Sequence, residues 1–274
     1  MANVTQHIHI ERPELWTLQL QVEPGRISYT LHNRHEANSL TWGEITLDEG
    51  ATSPLKAVED AVYDNPALLD DFGSVNILVH SEHFVVMPHE QAHESALFEL
   101  LAAAYPDMEG EPALDTLPQC GVCIAFEAMT GLIPFLQRTF NMPAIHHHLH
   151  ALCEHFCGVN SGSSISRMFL NLRPGTMDMV IYTKGRLEIA NTFRFRSTHD
   201  AAFFALQAWE CCHMDRQRDE LQLAGDRRVR DELAPELRRF IAYVMPAIYP
   251  ARAMQLSHDA MQAPIDLIYL ALCE

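Results

Sequence analysis

Two tight-turn signatures, Glu23-Pro24-Gly25-Arg26 and Arg173-Pro174-Gly175-Thr176, stand in the two halves of the chain, each flanked by apolar runs. Proline at the second and glycine at the third turn position favour type II geometry, so each signature predicts a hairpin. In the first half, residues 15–22 alternate with Leu18, Leu20 and Val22 on one face, residues 27–31 return, and residues 40–47 supply a third strand. Leu55, Val58, Ala61 and Val62 at helical spacing predict a helix over 54–69, and 74–80 is a short, dense apolar strand. The order is β-β-β-α-β. A strand at 84–87 and a helix over 89–104, with Leu97, Phe98, Leu100 and Leu101 on its buried side, extend this lobe. Residues 106–119, acidic and containing proline and glycine, read as a loop. A strand at 122–126, a helix over 132–140, a strand at 143–147 and a helix through Cys157 complete the first half.

After the Gly/Ser/Asn-containing stretch 158–164 the pattern starts again. Strands at 167–172 and 177–183 flank the second turn, 185–196 forms a third strand, and Thr198 or Asp200 caps a helix running to about His213. A strand at 220–224 ends at Gly225, and 263–273 is a short apolar helix with Pro264 in its first turn. A chain of 274 residues is long for one hydrophobic core. The fold class expected is therefore α/β with two tandem β-β-β-α-β-α lobes: residues 1–160, onto which helix 263–274 packs back, and residues 161–262.

Charge narrows the partners. Asp and Glu outnumber Lys and Arg by 36 to 19, a formal charge of −17, so most of the surface repels nucleic acid and anionic lipid. The basic run Arg227, Arg228, Arg230, Arg238 and Arg239 is interleaved with Asp226, Asp231, Glu232 and Glu236 and reads as a solvated helix face. Residues 1–11 lack the basic start and apolar core of a signal peptide, and seven scattered cysteines suit a reducing compartment. The expected location is the cytoplasm, without nucleic acid or membrane as partner.

The two repeated units resemble the actin-like superfamily, a ribonuclease H-like fold whose two lobes enclose a cleft and whose members include sugar kinases, Hsp70 chaperones and bacterial division and pilus-assembly proteins. More narrowly, residues 15–31, 74–88, 189–206 and 264–274 resemble domain-of-unknown-function family 3822, bacterial proteins with an actin-like ATPase fold and no established activity. The resemblance implies phosphate-facing hairpins carrying an acidic residue and glycines, because Mg²⁺ needs oxygen ligands and the backbone must approach the anion closely. The corresponding positions here are Glu23 and Gly25 in the first lobe, Gly175 and Thr176 in the second, and Gly225 and Asp226 at the nucleotide-base loop. Pro24 removes a backbone donor, and residues 171–176 contain no carboxylate. Phosphoryl transfer depends on positioning and electrostatics, so these losses predict a noncatalytic protein without a cofactor. The function expected is a platform for an unidentified protein partner, with self-association open. One alternative is an ATP-dependent switch in which Glu23 and Asp226 hold Mg²⁺ through water. Another is a metal- or small-molecule-binding module.

The metal alternative rests on His146, His150, Cys153 and Cys157, which offer ligand spacing across a strand end and a helix turn, with Cys120 or Cys123 from a neighbouring strand completing a four-ligand zinc set. The competing reading buries Ile145, Leu149 and Leu152 and leaves the imidazoles on polar edges. Cys120-Gly121-Val122-Cys123 runs into a strand rather than opening a helix, which favours packing over redox chemistry. Cys211-Cys212-His213 closes an apolar helix, and neither a phosphate loop nor a His-Glu-x-x-His pattern is present.

Overall fold

Both Pro-Gly turns close as hairpins. In the computed structural model, which describes residues 10–257 and 262–273, β1 (Trp16–Glu23) and β2 (Arg26–Asn33) pair antiparallel from Trp16↔Asn33 to Glu23↔Arg26. Gly25 takes φ +80° at the third turn position, a left-handed conformation that side chains disfavour. β3 (Thr41–Thr46) pairs with β2, and α1 (Pro54–Tyr63) starts where the Ser53 hydroxyl accepts the Lys56 N–H at 3.1 Å. The helix was expected to reach residue 69. It stops earlier because Asn65 precedes Pro66, which disfavours helical geometry at that residue, and a 3-10 turn over Pro66–Leu68 follows.

β4 (Ser74–Val79) lies parallel beside β1. The chain then leaves the sheet to build a second one from β5 (Phe84–Pro88), β6 (Glu111–Leu117) and β7 (Val122–Ala128), in the order β5-β7-β6. Residues 106–119 are thus not all loop: β6 occupies half of them as an edge strand, where Pro112 is tolerated. Helix α2 (Glu94–Ala104) packs Leu97 and Leu101 with Cys123 and Ala125, whereas Leu100, expected on the buried side, is exposed. After α3 (Leu132–Thr139), β8 (Ala144–His147) joins β4 in parallel and completes the order β3-β2-β1-β4-β8.

The second half repeats the plan. Following α4 (His150–Asn160), β9 (Arg167–Arg173), β10 (Thr176–Thr183) and β11 (Arg186–Arg194) form an antiparallel meander. Helix α5 (Thr198–Cys211) is capped by neither Thr198 nor Asp200: Ser197 is the N-cap, and Asp200 is the third helical residue of a capping box. Ala201 and Ala205 of α5 lie in one core with Met168, Leu170, Met179 and Leu221, and fully buried Trp209 fills its end. β12 (Glu220–Gly225) runs parallel to β9, α6 (Arg227–Leu237) follows, and β13 (Tyr243–Pro246) pairs with β12. The order β11-β10-β9-β12-β13 matches that of the first sheet. On α6 the arginines pair one turn ahead, Arg227 with Asp231 and Arg228 with Glu232, each at 3.5 Å and largely exposed. Helices α7 (Ala251–Leu256) and α8 (Ile265–Cys273) end the chain.

Two compact units result. One comprises the residues up to His150 with Ala251–Leu272, the other Ala151–Pro250 with Cys273. In the first unit β1 is buried on both faces, as central strands of α/β sheets are. Its second face carries Gln19 and Gln21, whose amides must find partners. Gln21 Nε2 donates to Asp266 Oδ2 of α8 at 3.0 Å. The Gln19 amide fits with its nitrogen 2.8 Å from Thr30 Oγ1 and 3.0 Å from the Leu267 carbonyl, and its oxygen accepting Ala271 N–H at 2.9 Å. No helix among the described residues is long and apolar enough to cross a membrane.

Candidate functional site

The parallel strands β1, β4 and β8 end on one edge of the first sheet, with Val22, Val79 and His147 in one row. The ladder continues one residue further, the His80 N–H donating to the Val22 carbonyl at 2.9 Å and the His148 N–H to the Val79 carbonyl at 3.0 Å. Glu23, His80 and His148 therefore follow one another across the carboxyl edge, the place where sheets of this kind gather ligands. The rings of His80 and His148 stack with centroids 4.3 Å apart.

His147 faces inward against Phe84 and Phe126, with ring centroids at 4.4 and 5.2 Å. Burial holds its pKa well below the ordinary imidazole value, so the ring is neutral. Nε2 lies 3.0 Å from the Ser81 carbonyl, while Nδ1 accepts the Leu149 N–H at 3.4 Å, which assigns the proton to Nε2. His148 Nδ1 accepts the Ser81 N–H at 3.3 Å. The two imidazoles hold the backbone that leaves β4.

His146, at the end of β8, and His150, the first residue of α4, point their Nδ1 atoms at one carboxylate, Asp115 of β6. Nδ1 of His146 is 3.0 Å from Oδ1, and Nδ1 of His150 is 2.9 Å from Oδ2. The two rings lie 3.9 Å apart. Asp115 Oδ2 also accepts the His147 backbone N–H at 2.9 Å. Burial alone would raise the Asp115 pKa, but hydrogen bonds from the two imidazoles outweigh it and bring it down to about 2. Among the described residues, this is the group of three His, Cys, Asp or Glu side chains whose ligand atoms converge, all within 4.8 Å of one another.

A cavity of about 410 Å³ opens beside the first hairpin. Val22, Pro24, Leu47, Ala57, Val79 and Leu132 form apolar wall, and its ionisable members are Glu23, Asp48, Glu49 and His80, with neither lysine nor arginine among the lining residues. Glu23 is buried, with Oε2 2.6 Å from Arg26 Nε. At the second hairpin Gly175 has φ +83°, and the buried Asp178 beyond it binds Arg173, the Thr192 hydroxyl at 2.9 Å and the Asn171 amide at 3.3 Å. Gly225 has φ +84°, and a Cβ there would meet the Leu172 carbonyl oxygen at 2.0 Å, so only glycine lets the turn cross β9. Asp226 follows as the N-cap of α6, its carboxylate accepting the Val229 N–H at 2.9 Å.

The sequence profile of a protein family of unknown function, DUF3822, matches residues 5–244. The chain belongs to the DUF3822 family. A solved structure from Bacteroides thetaiotaomicron VPI-5482, described as a protein with actin-like ATPase fold and unknown function, superposes with a TM-score of 0.81 at 22% identity, covering 96% of this chain and 97% of that one. A second, the PilM-PilN type IV pilus biogenesis complex, superposes with a TM-score of 0.60 at 12% identity over 94% of this chain and 98% of that one. No curated protein matches the sequence. At these identities the solved structures establish the fold, which is actin-like.

In this DUF3822 chain the sequence-derived candidates are distributed as follows. Glu23 and Gly25 line the cavity; Gly175 and Thr176 form the second hairpin, and Gly225 and Asp226 the turn into α6. Of the six metal candidates, His146 and His150 converge, whereas Cys120, Cys123, Cys153 and Cys157 are not in the converging group. Cys123 is buried on β7, Cys120 precedes the left-handed Gly121, and Cys153 is fully buried in α4. No disulfide forms among the seven cysteines, all of them described residues. The member of the converging group missed from sequence is Asp115. A signal was present, since Asp115 and Leu117 alternate inward in a run flanked by outward residues, but an acidic residue at an inward position disguises the strand.

Proposed function

We infer that this chain is a noncatalytic, cytoplasmic protein-binding platform on the actin-like fold, and that the cavity beside the first hairpin receives an apolar segment of a partner protein. The observation that carries this reading is the engagement of the acidic side chains at the hairpin and base-loop positions by the fold itself. Glu23 is paired with Arg26, and Asp226 caps α6. A magnesium triphosphate entering the cavity would meet Asp48 and Glu49 without a lysine or arginine to offset its charge. An aliphatic side chain entering the same space meets Val22, Leu47, Ala57 and Leu132 and gains roughly 25 cal/mol per Å² of apolar surface buried. The pilus-assembly structure supplies a precedent for the fold alone, since its description names a complex with a second protein.

Two measurements test the reading. Isothermal titration with ATP and Mg²⁺ is expected to yield no binding heat, and binding with a dissociation constant of about 10 μM or tighter would overturn the reading of a cleft that has lost its nucleotide. For the partner, a photo-crosslinking methionine analogue at half-buried Met129, on the cavity wall, is expected to trap one protein in cells, and the adduct should vanish in Ala51→Trp, which puts a bulky ring on a lining position of the same cavity. An adduct that persists in that variant places the partner elsewhere.

A further inference from the structure

We propose that Asp115, His146 and His150 bind a divalent transition-metal ion, with zinc the best match and one coordination position open to solvent. The proposal goes beyond the platform reading and does not rest on it. Three separate elements of the first unit supply the ligands: the inserted edge strand β6, the end of the sheet strand β8, and the first residue of α4. Such convergence from distant sequence positions onto one point is costly unless something holds the charge there, because Asp115 is buried with only 2% of its side chain exposed.

The geometry is close to that of a coordination sphere. Tetrahedral zinc with bonds of about 2.0–2.1 Å sets neighbouring ligand atoms roughly 3.3–3.4 Å apart. Asp115 Oδ1 lies 3.0 Å from His146 Nδ1 and 3.1 Å from His150 Nδ1, so widening by a few tenths of an ångström turns these two separations into edges of a tetrahedron that meet at one carboxylate oxygen. Two imidazoles and one carboxylate suit zinc and its first-row neighbours, whereas calcium and magnesium demand shells built of oxygen. Three converging protein ligands leave a fourth position, the pattern of sites that take water or an incoming ligand. The opening lies toward His146, whose side chain is 22% exposed against 12% for His150.

A supporting shell is already built. The His147 backbone N–H fixes Asp115 Oδ2 at 2.9 Å, and His147 itself is locked to Ser81, which sets the direction of the strand end that carries His146. Each imidazole turns its Nδ1 toward Asp115, and a metal bound there needs the lone pair of that nitrogen, which leaves the ring proton on Nε2. The bound ion would pin the inserted sheet to the carboxyl edge of the main sheet.

The test uses tag-free full-length protein, stripped with a chelator and titrated with Co²⁺ and then Zn²⁺. One equivalent of Co²⁺ is expected to produce the visible bands of a tetrahedral site, to be displaced by Zn²⁺, and to raise the melting temperature. Asp115→Asn and His150→Gln are expected to weaken binding by at least roughly 100-fold, since losing a direct ligand exceeds the loss of an outer-shell partner. His146→Gln, at the partly exposed position, keeps the assay independent of folding: its circular dichroism is expected to match the parent while Co²⁺ affinity falls by a similar factor. A parent dissociation constant weaker than about 1 mM, or parent-like affinity in both histidine variants, overturns the proposal.

Discussion

His32 lies on β2 with 1% of its surface exposed, and burial, aided by the neighbouring Arg34 charge, lowers its pKa to about 4. Its folded pKa is below the unfolded value of about 6.5, so the unfolded chain binds the extra proton as pH falls. The contribution to stability is therefore intact above about pH 6.5, declines by about 1.4 kcal/mol per pH unit down to about 4, and levels off below. Between pH 7 and 5 this one residue is expected to cost the first unit about 2 kcal/mol. Urea unfolding of the parent and His32→Asn at both pH values checks the sign and size: the variant should lose less stability on acidification, and equal losses would remove His32 from the account. In the second unit His155 is shifted in the same direction by burial, to about 4, and its contribution cancels in the comparison because it is common to both proteins. Nothing in the sequence around His32 marks it as buried, since Thr30 and His32 share a strand face that reads as polar, and that face is covered only because a helix more than 200 residues later supplies partners.

Elements with their own punctuation were readable; those set by distant contacts were not. The Pro-Gly turns fixed both hairpins, and the alternation of Leu18, Leu20 and Val22 placed β1 correctly. β6 escaped because its partner β7 provides the pairing while its own residues include Pro112 and an inward Asp115, and with β6 went the only carboxylate of the His-Asp cluster. His146 and His150 were recognisable as candidate ligands from spacing, but cysteine placement cannot be inferred that way: Cys153 shares α4 with His150, yet it is buried within the helix packing. The N-cap of α5 shows the same limit on a smaller scale. Ser197, Thr198 and Asp200 all carry capping side chains, and the backbone selects Ser197 because its extended φ of −141° points the hydroxyl at the Asp200 N–H. Ser197→Ala removes that acceptor from the capping box and is expected to lower the stability of the second unit by about 1 kcal/mol in denaturant unfolding. Ser197→Asp should restore most of it, an outcome that separates the cap from any loss of packing.

At the scale of the whole molecule, two sheets of identical strand order differ in how their chains are closed. The second unit draws its core from one contiguous stretch, Ala151–Pro250, with Cys273 added, whereas the first needs Ala251–Leu272 to return. Helix α8 is what returns, and its role is chemical as much as apolar: Asp266 takes the Gln21 amide, and the Leu267 carbonyl and Ala271 N–H satisfy Gln19. Without α8 the two amides would lose these partners, and the buried Ile268 and Leu270 would be gone from the first unit. A chain ending at Pro250 is therefore expected to lose the first unit while retaining the second. Hydrogen exchange read by mass spectrometry should find amides of β1, β2 and β4 exchanging fast and those of β9, β10 and β12 still protected. Asp266→Ala in the full-length chain serves as the milder version, leaving the Gln21 amide unpaired in a buried position and costing the first unit about 1–3 kcal/mol. Protection of β1 in the truncated chain equal to that in the intact one would mean that the sheet's polar face finds partners without α8, and the dependence of the first unit on its returning segment would have to be abandoned.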